Sequence, residues 1–179
     1  RLEDISEDLP DEFQGLKRRL GDLTAQAIKT LTGIRDLALE LRPSALDELG
    51  LAKAIDWYAR DYLAKRGLDI TIDMRNSGVK LPSYTQTMLF RIVQEALANI
   101  VKHAQATRVN ISMELDDAMA AVEVKDNGNG FNVQAALGAE AIRQHLGLHG
   151  MAERAALLGG KLVITSEQGQ GTIVLVRVP

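Results

Sequence analysis

Val124-Lys125-Asp126-Asn127-Gly128-Asn129-Gly130-Phe131 closes an alternating run, Met119-Ala120-Ala121-Val122-Glu123-Val124, that reads as a strand. The strand ends in an acid, followed by four residues drawn only from Asn and Gly. Two physical readings compete. Asn-Gly is a strong hairpin signal because both residues tolerate positive φ, so the stretch can be a tight turn. Alternatively, a backbone stripped of side chains lets a ligand come close, and the Asp126 carboxylate beside it can accept a hydrogen bond from an exocyclic amine. The residues on either side decide between a turn and a site.

The chain has 179 residues, enough to bury a core as one domain or as a domain with an appendage. A net charge of -3 with 25% charged residues leaves no basic footprint for nucleic acid. Without cysteine there is neither a disulfide framework nor a thiolate zinc site, which suits a reducing compartment and a cytoplasmic location. No apolar run approaches the ~18 residues of a membrane span and no signal peptide is visible, so no membrane contact is expected of this stretch. Because it begins at Arg1, the chain is expected to be cut from a longer protein, whose membrane anchorage stays open.

Apolar residues recur at helical spacing over 11–41, at Leu16, Leu20, Leu23, Ala27, Leu31, Ile34, Leu37 and Leu41. One long amphipathic helix is expected there, with a single stripe that wants a partner helix. Arg42-Pro43-Ser44 stops it. A second helix follows over 46–66, with Gly67 as its C-cap. Leu68-Asp69-Ile70-Thr71-Ile72-Asp73-Met74 alternates as a strand, and Ser83 with Gln86 reads as a capping box opening a helix to about 104. Strands are expected over 108–115 and 119–125. An Ala-rich segment covers 133–146, a helix 148–158, and a strand hairpin joins 161–166 to 172–178 across Gly169-Gln170-Gly171. Helices first, then mixed strands and helices, spell an α+β sandwich with helices on one face of a mixed sheet.

Three segments carry candidate chemistry. In the helix 91–104 one side is apolar, while Glu95, Asn99 and Lys102 share the other at i, i+4 and i+7. On that helix alone a solvated surface explains them. Asn99 is the exception, a poor helix former set between a carboxylate and an ammonium. Its neutral amide oxygen suits Mg²⁺, which binds few protein oxygens, and Lys102 suits a phosphate. Asp126 with Gly128 and Gly130 is the second segment. Gly147-Leu148-His149-Gly150-Met151 is the third, a glycine-bracketed helix start where free N–H groups favour an anion. No Gly-Lys-Ser/Thr follows, so it is not a Walker A loop.

Taken in order, EALANIVKHA (95–104), DNGNGF (126–131), GLHGMAERAALLGG (147–160) and GQGT (169–172) resemble the N, G1 and G2 boxes and final Gly-Thr of the histidine-kinase catalytic domain, within the GHKL ATPase superfamily. LRPSALDELGL (41–51) resembles the junction after the second dimerisation helix in the nitrate-sensor-like subfamily of bacterial two-component kinases. The resemblance implies a two-layer Bergerat-type ATP-binding fold over 46–179, preceded over 1–45 by part of a dimerisation and phosphotransfer hairpin. It implies ATP and Mg²⁺ as cofactors, with Asp126 on the adenine amine and Thr172 assisting through water. Gly128 and Gly130 would admit the nucleotide. Asn99 would bind Mg²⁺, Lys102 a phosphate, and Glu95 would polarise or orient a reacting group. His103 belongs to the N box; Gly147, Leu148, His149 and Gly150 would lie beside the phosphates, with 132–146 as a mobile lid.

Such kinases phosphorylate a histidine on their first dimerisation helix, whereas this chain has only His103, His145 and His149. ISEDLPDEF (5–13) resembles the phosphoacceptor box with Pro10 in place of histidine, but the thirty or so residues to Leu41 suffice for one long helix only. Pro10 therefore reads as part of the inter-helix loop and the phosphoacceptor helix as missing; loss of the histidine from a diverged kinase is the alternative. The implied function is transfer of the ATP γ-phosphoryl to a histidine on that helix. A response-regulator receiver aspartate would take it next, and the intact protein would be a homodimer. The chain alone is expected to bind ATP without autophosphorylating. An ATP-binding scaffold signalling through dimer packing, or a GHKL ATPase, remain the other readings.

Overall fold

The computed structural model describes residues 15, 16, 19, 22, 44–76, 78–116, 118–137 and 146–179. The chain divides into two units, Arg1–Pro43 and Ser44–Pro179. In the first, Gly15, Leu16, Arg19 and Asp22 are helical and exposed. The remainder of the helix expected over 11–41, together with Pro10 and the Arg42-Pro43 stop, lies outside the described residues.

The second unit runs α1 (Ser44–Ala64), β1 (Asp69–Arg75), α2 (Ser83–Asn99), a π-helical turn (Ile100–Ala104), β2 (Arg108–Leu115), β3 (Ala120–Asp126), a short α3 (Val133–Leu137), α4 (Leu146–Leu157), β4 (Lys161–Glu167) and β5 (Gly171–Val178). The strands form one sheet in the order β1-β2-β3-β5-β4. β1 and β2 are parallel and the other neighbours antiparallel, so the sheet is mixed. A parallel pair needs a crossover, which α2 supplies.

Strand alternation sets the layers. Val109, Ile111, Met113 and Leu115 of β2 are buried, as are Ala120, Val122 and Val124 of β3. The register pairs Ile111 with Val124 and Met113 with Val122, so both apolar rows share one face. α2 covers that face with Leu89, Phe90, Ile92, Val93, Ala96 and Leu97. α1 contributes Ile55, Ala59 and Leu63, and α4 contributes Met151 and Ala155. α2 touches both α1 and α4, while α1 reaches edge strand β1 and α4 reaches edge strand β4. Tyr58 of α1 stacks on Tyr62 at 5.3 Å and meets Phe90 of α2 edge-on at 5.5 Å. The result is the expected α+β sandwich, with helices covering one side of the mixed sheet.

Three local expectations need correction. The helix over 46–66 is not continuous: Gly50, at φ 76 and ψ 170, breaks α1 six residues after its start. No capping box forms at Ser83. Pro82 supplies the non-helical N-cap residue, so Ser83 is already helical, and its hydroxyl makes no capping bond. Gln86 instead donates its side-chain amide to the Leu81 carbonyl at 2.8 Å. The expected helix to 104 changes type at Ile100, widening into a π turn that Gln105, at φ 52, terminates.

Candidate functional site

A cavity of about 500 Å³ opens beside α2, and the elements above decide what faces it. Glu95 and Asn99 come from one face of α2, and Lys102 and His103 from the π turn that continues it. π turns inside α-helices recur at functional sites because they re-aim the side chains that follow. Asp126 and Thr172 come from the adjoining ends of β3 and β5, Gly130 from the loop after β3, and Gly147 and Leu148 from the first turn of α4. The structure thus brings nearly all the sequence-derived candidates around one space. Gly128, His149 and Gly150 are not among its lining residues.

Each of those three has a different setting. Gly128 is buried, and a Cβ there would come within 2.7 Å of the Ala104 Cβ and closer still to the Ala104 carbonyl oxygen. Its lack of a side chain admits the end of the π turn. Gly150 lies beside the Arg154 guanidinium, which a Cβ would meet at 3.0 Å. His149 is half-buried, with its Nε2 buried and unpartnered. Phe131, Ile164, Val124 and Val174 also line the cavity, although sequence reasoning passed over them as binding residues. Val124, Val174 and Ile164 form one row across β3, β5 and β4. Their signal is strand register, which becomes readable only once β5 is known to lie between β3 and β4.

The Asn-Gly stretch is a stitch. β3 pairs with β2 and β5, neither of which it reaches through residues 127–130, so no tight hairpin forms there. Asn127 Oδ1 accepts the N–H groups of Thr107 and Arg108 at 2.9 and 2.8 Å, and its Nδ2 donates to Thr107 Oγ1 at 2.9 Å. Asn129 donates its backbone N–H to the Ala104 carbonyl at 2.7 Å and accepts the Gly169 N–H at 2.6 Å. Gly130, at φ 61, leaves no room for a Cβ, which would collide with the Glu167 carbonyl. One loop therefore holds the π turn, the start of β2 and the β4–β5 hairpin around Asp126.

Asp126 is 4% exposed. Its Oδ1 accepts the Gly128 N–H at 2.7 Å, and the Thr172 N–H also donates to the carboxylate. Burial raises its pKa above the ordinary carboxylate value, and the two backbone donors act against that rise. Among the described residues no cation pairs with it. A buried carboxylate held by neutral donors and facing a cavity is a strong acceptor for an incoming N–H group.

Glu95 lies against the start of α4, where a Cβ on Gly147 would sit 2.9 Å from its Cδ and closer to Oε1. A helix start leaves its first N–H groups without intrahelical partners, which favours an anion. Among the described residues no three His, Cys, Asp or Glu side chains converge on a metal position. Asn99, on the cavity wall, offers a single neutral oxygen, which fits Mg²⁺ completed by phosphates and water. In the expected lid, Asn132 starts α3 by accepting the Ala135 N–H on Oδ1 at 3.0 Å. Residues 138–145, with His145, lie outside the described residues.

Comparison with known proteins agrees with this geometry. Residues 84–179 match the family described as histidine kinase-, DNA gyrase B- and HSP90-like ATPases. The chain is 33% identical over 162 residues to the signal transduction histidine-protein kinase/phosphatase DegS of Brevibacillus brevis, covering 90% of this chain and 41% of that protein. It is 35% identical over 169 residues to the oxygen sensor histidine kinase NreB of Staphylococcus carnosus, covering 94% of this chain and 47% of that protein. The chain therefore spans less than half the length of these curated relatives. In fold it matches the histidine kinase domain of the Erythrobacter litoralis EL346 blue-light activated histidine kinase. The TM-score there is 0.64 at 21% identity, over 99% of this chain and 92% of that one. The chain belongs to the histidine kinase-, DNA gyrase B- and HSP90-like ATPase family.

Proposed function

We propose that residues 46–179 are the catalytic domain of a protein histidine kinase that passes the ATP γ-phosphoryl to a histidine on a helix outside these 179 residues. Residues 1–45 would belong to the dimerisation and phosphotransfer hairpin of a cytoplasmic homodimer, and a response-regulator aspartate would receive the phosphoryl. The observation that carries this reading is the gathering of Asp126, Thr172, Glu95, Asn99, Lys102 and the start of α4 around one cavity.

ATP, bound with Mg²⁺, supplies the transferable phosphoryl group and its leaving group. The chain's own residues position it. Asp126 and Thr172 select and orient the base, and the Val124, Val174 and Ile164 row gives the ring an apolar surface. Asn99 offers a neutral oxygen to the cation, while Lys102, exposed at the rim, offers compensating charge. Glu95, next to the first turn of α4, orients the acceptor imidazole or holds its proton. Positioning and charge neutralisation carry most of the catalysis in phosphoryl transfer. His103 lines the cavity on the π turn, a placement for contact with the nucleotide.

The test has two arms. Calorimetric titration of this chain with ATP should show saturable binding that strengthens with Mg²⁺. A longer chain that includes the preceding helix should take up γ-labelled phosphate in an acid-labile, base-stable form. Binding without any such label would reject the kinase reading and leave an ATP-binding scaffold.

A further inference from the structure

Ser166 of β4 stands behind Thr172 and makes three hydrogen bonds through one hydroxyl. Its Oγ donates to the Gly171 carbonyl at 2.9 Å, accepts the Phe131 N–H at 2.9 Å, and lies 2.9 Å from Thr172 Oγ1. A serine hydroxyl has one proton and two lone pairs. The Gly171 carbonyl can only accept and the Phe131 N–H can only donate. The Ser166 proton is therefore committed to Gly171, and one lone pair is committed to Phe131. Only a lone pair remains for Thr172, so the Thr172 hydroxyl must donate its proton to Ser166.

That assignment settles what Thr172 shows to the cavity. Its N–H is taken by the Asp126 carboxylate and its O–H by Ser166, so its oxygen faces any ligand as an acceptor. Asp126 beside it is an acceptor too. We propose that Ser166 is a specificity-determining residue: by taking the Thr172 hydroxyl proton it makes an acceptor of Thr172 beside the acceptor Asp126, a pair that suits a ligand nitrogen carrying two hydrogens. A 6-aminopurine meets that demand. A 6-oxopurine places a carbonyl acceptor there, leaving acceptor against acceptor in a buried site, and is rejected. This inference rests on the nucleotide reading above and adds to it the residue that sets hydrogen-bond polarity.

The probe pair is ATP and ITP, which exchange the 6-amino group for a 6-oxo group on the same ring, ribose and triphosphate. Both are titrated calorimetrically into the 179-residue chain and its Ser166→Ala, Ser166→Cys and Ser166→Thr variants, each first checked for a cooperative thermal transition. The parent chain should prefer ATP. Ser166→Ala frees the Thr172 hydroxyl to rotate and donate, so the ATP-to-ITP preference should shrink about tenfold, by weaker ATP binding and equal or tighter ITP binding. Ser166→Cys, with a poor acceptor of similar shape, should shrink it in the same direction should Ser166→Ala not fold. Ser166→Thr keeps the hydroxyl and should keep the preference. An unchanged ratio in the Ala and Cys variants, even with both affinities reduced, would show a structural role alone and overturn the inference while leaving nucleotide binding intact. Failure of the parent chain to bind either nucleotide would overturn the nucleotide reading and this inference together.

Discussion

Glu95 and Gly147 share one volume: the Glu95 carboxylate occupies the space that any side chain at residue 147 would need. Gly147 lies in the first turn of α4, and it is not among the positive-φ glycines, so alanine there faces no backbone penalty and would by propensity favour the helix. Whatever Gly147→Ala costs therefore comes from displacing Glu95. Because Glu95 is half-buried and meets that space with the far end of a flexible side chain, the expected loss is at most about 1 kcal/mol in the parent, and the substitution should be neutral or stabilising when Glu95 is already alanine. Urea unfolding of the four chains of this double-mutant cycle measures the coupling. Additive losses would mean that the two residues do not constrain each other.

Gly128 and Gly50 are glycines for unrelated reasons, and substitution should separate them. Gly128 has no positive φ but no room, since its Cβ would meet the Ala104 backbone, which cannot step aside without moving the π turn. Gly128→Ala should cost about 2–3 kcal/mol and also weaken ATP binding, because the same residue donates its N–H to Asp126. Gly78, with no positive φ and nothing within 4 Å, is the matched control. Gly78→Ala should be neutral, or stabilising by about 0.5 kcal/mol through the unfolded chain. Thermal melts and ATP titrations of both variants check the contrast.

Gly50 has open space but φ 76 and ψ 170, a region essentially closed to residues with a Cβ. Gly50→Ala should cost about 1–3 kcal/mol with ATP affinity unchanged, because α1 packs on α2 and β1 and contributes nothing to the cavity lining. A drop in affinity matching the drop in stability would show that the break in α1 is felt at the site.

The contrast shows which parts of the molecule were legible beforehand. Element types and the α+β layering could be read because helical spacing and strand alternation write the buried face directly into residue order, as at Ile92, Val93, Ala96 and Leu97. The break at Gly50 was hidden because Leu46, Leu51, Ala54 and Ile55 keep an apolar pattern straight through it. Asp126 and Asn99 stood out as polar residues placed against local expectation. Ser166 did not, since a serine near a strand end is unremarkable until β5 is laid beside β4. The Asn-Gly stretch could be singled out as special, but its role as a stitch between three elements depends on long-range contacts that no local pattern encodes.

The raised pKa of Asp126 gives stability and binding opposite responses to pH. In the folded chain burial lifts this carboxyl above its ordinary value of 3.8, so the folded state holds the proton more tightly than the unfolded state. Its contribution to stability is then full below the unfolded value and is lost as pH rises through the raised folded value. At neutral pH the ionised group is a liability to the nucleotide-free chain. Asp126→Asn cannot ionise and should be the more stable chain at pH 7, the difference closing as pH falls toward the unfolded value. ATP affinity moves the other way, because the amine needs a charged acceptor: it should fall as acid protonates Asp126, beginning at a higher pH than an ordinary aspartate would dictate. Asp126→Asn should bind ATP about 10- to 100-fold more weakly at pH 7, the worth of a hydrogen bond to a charged group. Melts and titrations of both chains from pH 4 to pH 7 measure both slopes at once. If the two chains lose affinity in parallel as pH falls, Asp126 is not the acceptor.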